Sequence, residues 1–397
     1  MTKSVRTPVS QAAFALAAVG VCWAGPLAAQ KLEVNTSIAT LEQTADRDSN
    51  DAAAHYNLAL GYWSDRRWDD AGVALRRAVA VEPRFASAYL ALAFLPQASG
   101  QYWTMHVIVL RGGWSLAFYT APDSVVREFN RLYRRALMIE PLVDIRIQVA
   151  TEHRGGHVDK FDKALYAYND GKWDEAYRRF GELLRDSADY RGEKGRLYEQ
   201  ILWYHALAAA RQQKFAEGME DLRHLVARSE RREVSDTLYR WPLRTNEYRY
   251  TLAYLTQRAG DPNGAVRLYE EALTNDLGLY MAHVRIADIY EAAGLFEQAI
   301  TARRNALNAS PDDPSLLVDL GKTLANAARW AEAEQPLVES AAANPSDPRV
   351  PFYLGLVFEN LGRKDDARAA FTKFIAIAPS RFERQVTVAK QHIDALR

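Results

Sequence analysis

The chain has 397 residues, 48% of them hydrophobic and 25% charged, a balance that permits a packed core and excludes wholesale disorder. Lys plus Arg and Asp plus Glu number 50 each, so no net field draws the chain to polyanions, and no nucleic-acid partner is expected. The single cysteine, Cys22, lies in the first 29 residues; once they are removed, disulfides, thiolate metal sites and cysteine nucleophiles are excluded.

Residues 1–29 have the form of a secretory signal. Lys3 and Arg6 precede a small, apolar run from Gln11 to Ala24, and Gly25-Pro26 breaks the helix ahead of Leu27-Ala28-Ala29, a small-residue cleavage site. The run is shorter than the roughly 20 residues of a membrane-spanning helix. Cleavage would deliver to the periplasm a mature chain with 48 basic residues (50 less Lys3 and Arg6) against 50 acidic ones. The alternative is an uncleaved signal that anchors the protein to the inner membrane. Residues 30–49 are expected to form a linker.

From residue 50 onward one pattern recurs. It reads Leu58-Ala59, Tyr62, Trp68, Ala71, Leu75, Ala78, Pro83 at first, and later Ile286-Ala287, Tyr290, Gly294, Phe296, Ala299, Ala306, Pro311. It returns as Leu320-Gly321, Leu324, Trp330, Ala333, Leu337, Ser340, Pro345 and as Leu354-Gly355, Phe358, Gly362, Ala367, Phe371, Pro379. The closing prolines 311, 345 and 379 are 34 residues apart, the length of two helices of about 13 residues with two short turns. Ala or Gly at the crossing lets two backbones approach, and proline lacks the donor needed to continue the second helix.

The pattern resembles the tetratricopeptide repeat family over roughly residues 50–397. That resemblance implies an all-α fold, a right-handed α-solenoid of stacked helix-turn-helix hairpins. Repeats 1–2 fall within 50–141, irregular repeats within 142–245, four regular repeats within 246–381, and a capping helix at 382–397. Connections lengthen near Asp186–Lys194 and Ser229–Asn246.

The second repeat carries an insertion at about 101–123. Between Tyr102 and Thr120, 12 of 19 residues are apolar and Arg111 is the only charge. Gly112-Gly113 divides the stretch in two, which suits a hairpin turn. An apolar insertion needs a surface to cover: its own helices, a partner or a membrane surface, with Trp103, Trp114 and Phe118 as the contact candidates.

No phosphate loop, nucleophile elbow or zinc-binding His-Glu pair occurs. Glu152, His153 and His157 are the best metal candidates, but Gly155-Gly156 argues against the helix that would align the histidines; no metal, cofactor or catalytic residue is expected. His205 and His283 read as packing or hydrogen-bonding residues. Arg228, Arg231, Arg232, Arg240 and Arg244, diluted by Glu230, Glu233 and Asp236, read as a solvated helix end.

The resemblance places partner binding on the concave face formed by the first helices. Its candidates are Tyr56, Trp63, Tyr168, Trp203, Tyr250, Tyr254, Arg258, Asp288, Lys322 and Asn326, with Leu60, Phe161, Leu165, Glu291, Phe352, Glu359 and Asn360 beside them. The Lys/Asn set with which some relatives clamp a terminal carboxylate is not reproduced. The expected function is a non-enzymatic, exported scaffold that binds a protein or peptide. The alternative is a membrane-surface subunit of an envelope assembly, docked through residues 102–120.

Overall fold

A computed structural model describes residues 36–100, 104–109, 115–120, 122–143, 159–186, 196–233 and 245–396. The signal at 1–29, the Glu152/His153/His157 group, Trp103, Trp114, Arg240 and Arg244 lie outside the described residues. The rest is helical apart from one ribbon. In order come α1 (Ile38–Arg47), α2 (Ala52–Ser64), α3 (Trp68–Val81), α4 (Ala86–Ser99), β1 (Thr104–Val109), β2 (Ser115–Thr120) and α5 (Asp123–Ile139). Then follow α6 (Asp159–Asn169), α7 (Trp173–Asp186), α8 (Arg196–Arg211), α9 (Phe215–Glu233), α10 (Thr245–Arg258) and α11 (Pro262–Asn275). The chain continues with α12 (Tyr280–Ala292), α13 (Phe296–Ala309), α14 (Pro314–Asn326), α15 (Trp330–Ala343), α16 (Arg349–Asn360), α17 (Lys364–Ile377) and α18 (Glu383–Ala395).

The same device reverses the chain inside hairpin after hairpin. Gly171, Gly260, Gly294 and Gly362 have positive φ, as do the non-glycine residues Arg66, Gln213 and Ala328. Each ends a first helix in the left-handed conformation, and the following amide reaches back five residues: Asp261 N to Thr256 O at 3.2 Å, Leu295 N to Tyr290 O at 2.8 Å, Arg329 N to Leu324 O at 2.9 Å and Arg363 N to Phe358 O at 2.9 Å. This closure satisfies carbonyls that the helix end would leave bare. Positions 260, 294, 328 and 362 are 34 residues apart, so the turn keeps the period of the prolines.

The described chain packs as two compact units. One contains the residues up to Gly61 together with Arg77–Arg84 and His283–Arg397; the other contains Tyr62–Arg76 and Phe85–Ala282.

In the unit with the C-terminal repeats, α14 starts on Asp313, whose carboxylate accepts the Ser315 N–H at 3.0 Å, with Pro314 at the first helical position, where its missing donor is harmless. The close crossings expected at the Gly positions are present. A Cβ added to Gly321 would lie 2.5 Å from Leu337 Cγ, and one on Gly355 would lie 2.6 Å from Phe371 Cε1. Around that contact Phe352, Phe371 and Phe374 are fully buried, with ring centroids 5.1–6.0 Å from Phe352. The helix α18 adds buried Ala389 to the core. Its His392 stacks on Phe371 at 5.1 Å and reaches Glu359 at 2.7 Å.

In the other unit aromatic rings fill the interior. Phe94 meets Phe129 edge-on at 5.2 Å, and Phe129 stacks on Tyr133 at 5.5 Å. Tyr204 stacks on Phe180 at 5.8 Å and touches Phe161 and Tyr168. Such pairs add about 0.5–1.5 kcal/mol each beyond the area they bury. The helices α4 and α5 pack as a hairpin although the insertion separates them. The insertion itself forms an antiparallel ribbon, with Thr104 opposite Thr120, His106 opposite Phe118 and Val109 opposite Ser115. Among the described residues β1 and β2 pair only with each other.

Candidate partner-binding face

The unit with the C-terminal repeats carries a chain of charges across its first helices. Arg303 comes from a second helix, α13, but its side chain, 1% exposed, reaches between α12 and α14. Ala299 and Ala306, one turn to either side, are fully buried and small enough to let it through. Its guanidinium lies 2.6 Å from Asp288 Oδ1, 3.1 Å from Glu291 Oε2 and 3.7 Å from Asp319 Oδ2. It also donates to Thr323 Oγ1 at 3.2 Å and to Val284 O at 3.3 Å. Glu291 in turn accepts from Thr323 at 3.0 Å and from Asn326, with Lys322 Nζ at 3.5 Å.

Further along, Arg349 is held by Asp347 at 2.6 Å and lies 3.9 Å from Glu82. Arg84 bonds to Asp319 and lies 3.8 Å from Asp313. Burial opposes ionisation of the Asp319 carboxyl, but Arg84, Arg303, Arg349 and Lys322 overcome it and hold the group below the usual carboxylate range. For the same reason Arg303 stays charged despite burial, its pKa raised by Asp288, Asp319 and Glu291. A buried ion pair of this kind is stable only because each charge is met by several partners. The arrangement holds polar groups in fixed positions on neighbouring first helices. Solvent reaches Asp288, with a side chain 42% exposed, and Lys322, 24% exposed.

The sequence candidates fall into two groups. Asp288, Lys322 and Asn326 are brought together by Glu291 and Arg303 in this network. Tyr56, Trp63, Tyr168, Trp203, Tyr250 and Tyr254 are buried. Trp203 packs against Tyr248 at 5.7 Å, Trp63 meets Trp68 at 5.5 Å, and Tyr168 meets Tyr204 at 5.5 Å. The Tyr250 hydroxyl donates to Met138 O at 2.6 Å and that of Tyr254 to Glu140 Oε1 at 2.8 Å. Tyr168 and Trp203 thus close gaps between the first helices α6, α8 and α10, Trp63 closes on the second helix of its own hairpin, and Tyr250 and Tyr254 close on the end of α5. Arg258, exposed, donates to the Tyr254 hydroxyl at 3.2 Å. Phe118 lies in β2 opposite His106.

In the basic stretch Arg231 and Glu230 are exposed as expected, and Arg228 departs from that expectation. Arg228 is partly buried and pairs at 3.0 Å with Glu199, itself buried, so desolvation of that carboxylate recruits the cation inward. His205 bonds Asp221 at 2.6 Å and stacks on Tyr177 at 4.5 Å. Tyr177, hydrogen-bonded to Glu217 and partly buried, has its pKa pushed up to about 12. His283 is half-buried with a lowered pKa, because burial disfavours its cation.

Sequence reasoning missed Arg84, Arg303, Asp319 and Arg349. The available signal was Arg303, a charge standing inside the apolar stripe Ala299, Ile300, Ala302, Ala306 of its helix.

Two stretches of this architecture, each with two first-helix and second-helix cycles, match a family model directly. Residues 250–314 and 318–381 match the model described as Tetratricopeptide repeat. These residues are tetratricopeptide repeats. A curated relative from Bradyrhizobium diazoefficiens, "Cytochrome c-type biogenesis protein CycH", is 35% identical over 98 residues, 24% of this chain and 27% of that protein. A protein of the same name from Rhizobium meliloti is 28% identical over 149 residues, 36% of this chain and 39% of that one. The chain thus matches less than half the length of either relative. A solved structure, the C-terminal part of a TPR repeat-containing protein from Cytophaga hutchinsonii, is 14% identical, covering 59% of this chain and 92% of that one with a TM-score of 0.47. Among the described residues no helix is long and apolar enough to cross a membrane, and no group of three or more His, Cys, Asp or Glu is placed to hold a metal ion.

Proposed function

We propose that the protein is an exported, non-enzymatic scaffold that takes a protein or peptide partner on the first-helix face of its tetratricopeptide repeats. The observation that carries this reading is the fixed ladder of polar groups from Asp288 through Lys322 and Asn326, held by buried Arg303 and Glu291. Side chains already ordered lose little entropy when a partner binds, which favours recognition there. Both curated relatives are named for c-type cytochrome biogenesis. By that likeness the partner is a polypeptide of c-type cytochrome assembly, met on the periplasmic side after the signal at residues 1–29 has exported the chain. A photo-crosslinking residue placed at Lys322 or Arg258 should yield adducts in the native envelope. One placed at Val338, exposed on the second helix α15, should yield far fewer. Equal yields at all three positions would count against this face.

The ribbon favours a second reading. Its strands pair only with each other among the described residues, and of the 19 residues from Tyr102 to Thr120, 12 are apolar and Arg111 is the only charge. A segment of that composition suits a lipid surface as cover. In this reading the protein is a membrane-surface subunit. Deleting residues 102–120 should then release it from membranes with its helical circular dichroism intact; loss of fold would remove the idea.

A further inference from the structure

The first helices of the C-terminal repeats are met by a segment from the far end of the sequence. The loop after α3 carries Glu82-Pro83-Arg84, more than 200 residues away in sequence from the helices it touches and part of the same compact unit. The Arg84 guanidinium bonds to Asp319 and lies 3.8 Å from Asp313, while the Glu82 carboxylate lies 3.9 Å from Arg349. The match has two points: a cation on an acidic pair, and an anion on a cation.

The receiving groups are built in advance by contacts that do not involve the loop. Asp313 caps α14 through Ser315 N at 3.0 Å. Asp319 is approached by Arg303 at 3.7 Å. Arg349 is braced on Asp347 through Nε at 3.0 Å and Nη2 at 2.6 Å. The carboxylates of Asp313 and Asp319 together suit one cation with several donors, and the guanidinium of Arg84 supplies them in a planar fork. The loop also presents its two charges in a fixed relation. Pro83 removes backbone freedom between them, and the Glu82 carboxylate accepts the Arg84 amide at 3.3 Å.

We infer that this face is a receptor for a protein segment carrying an acidic residue two positions before an arginine, that Glu82-Pro83-Arg84 occupies it from within, and that a partner with the same spacing competes for it. The inference rests on the proposed use of the first-helix face for recognition, and gives that partner its chemistry. The neighbouring polar groups Lys322 and Asn326 lie on the same helix as Asp319 and would continue the contact along α14.

The test uses the full chain and a fluorescent peptide of residues 78–87. The Glu82→Ala/Arg84→Ala chain should bind the peptide about tenfold or more tighter than the native chain, because the site is vacated and each charged contact is worth about that factor. Adding Asp319→Asn should erase the gain, and a peptide with the two charges exchanged should not bind. Equal affinity for native and vacated chains, or a gain indifferent to Asp319→Asn, overturns the inference. Should the double variant lose its helical signal, the native chain gives an independent reading: excess peptide must speed hydrogen exchange at 82–84 and leave 313–319 protected. Exchange unchanged by peptide overturns it equally. Peptide competition without crosslinks at Lys322 would sink the proposed scaffold role and leave this receptor standing; crosslinks without competition would do the reverse.

Discussion

The two units fill one kind of interior by opposite means. Where Tyr204, Phe161, Phe180 and Tyr168 cluster, the space between consecutive first helices is closed with rings. Where α12, α14 and α16 line up, it is closed with Arg303, Asp319 and Arg349 and their partners. Rings gain their energy from area and are indifferent to pH. Buried charges gain theirs from one another, so each depends on every neighbour staying charged and in place. The helical hairpin tolerates either solution, because its turns and crossings are set by other residues.

The sharpest way to break the comparison is to delete one centre from each unit. Arg303→Met should cost about 3–5 kcal/mol, because it strands Asp288, Glu291 and Asp319 beside one another. Trp203→Ala should cost a similar amount, about 3–5 kcal/mol, through a cavity. Thermal unfolding at several pH values separates them. The penalty of Arg303→Met should shrink as acid is added, because the missing cation then leaves less negative charge uncompensated, whereas the penalty of Trp203→Ala should not. A pH-independent penalty for Arg303→Met would mean that the network is packing and not charge.

The native chain carries the same signature in weaker form. The Asp319 carboxyl is depressed in the folded state, so the folded chain binds fewer protons there than the unfolded chain. Its contribution to stability is complete above the ordinary carboxylate pKa of about 4 and is lost as pH falls through and below it. Asp319→Asn should therefore be less stable than the native chain at pH 7 and flatten its acid limb. Hydrogen exchange near 303–326 between pH 5 and pH 3 would show the difference, and an unchanged limb would remove Asp319 from the account.

Smaller effects test the frame that both units share. Gly355→Ala should destabilise by about 1–3 kcal/mol, since its Cβ would overlap Phe371, a ring that cannot yield without disturbing Phe352. An Ala elsewhere in a helix interior would stabilise it instead. Smallest of all, Ala328→Gly should raise stability by up to about 1 kcal/mol, relieving the left-handed strain at φ 58° less the entropy that glycine adds to the unfolded chain. A lowered melting temperature for Ala328→Gly would show that the turn is not strained.

The 34-residue period was legible in the sequence because the residues that set it act locally. Pro345 stops a helix by lacking a donor, Gly362 accepts positive φ, and Gly355 lets one neighbouring helix approach; none needs a distant partner to be recognised. The family model's match to 250–314 and 318–381 falls on this local grammar. The two glycines dividing 102–120 likewise signalled the ribbon that forms there.

The contents of the first-helix face were only partly legible. Asp288, Lys322 and Asn326 could be placed by position in the repeat, but Tyr250 and Tyr254 could not be told from groove residues. Whether an aromatic turns toward solvent or toward α5 depends on what stands opposite, and Met138 and Glu140 lie 112 and 114 residues earlier in the chain. Arg84 poses the same problem more strongly. Its partner Asp319 is 235 residues away, and no periodicity links a loop after the first hairpin to the middle of α14. Repeat, turn and crossing were therefore determined by sequence alone, since each is a short-range steric or hydrogen-bonding requirement. The pairing of Glu82 and Arg84 with Arg349 and Asp319 was decided only by tertiary structure, because an ion pair is specified by which surfaces the completed fold brings within a few ångströms.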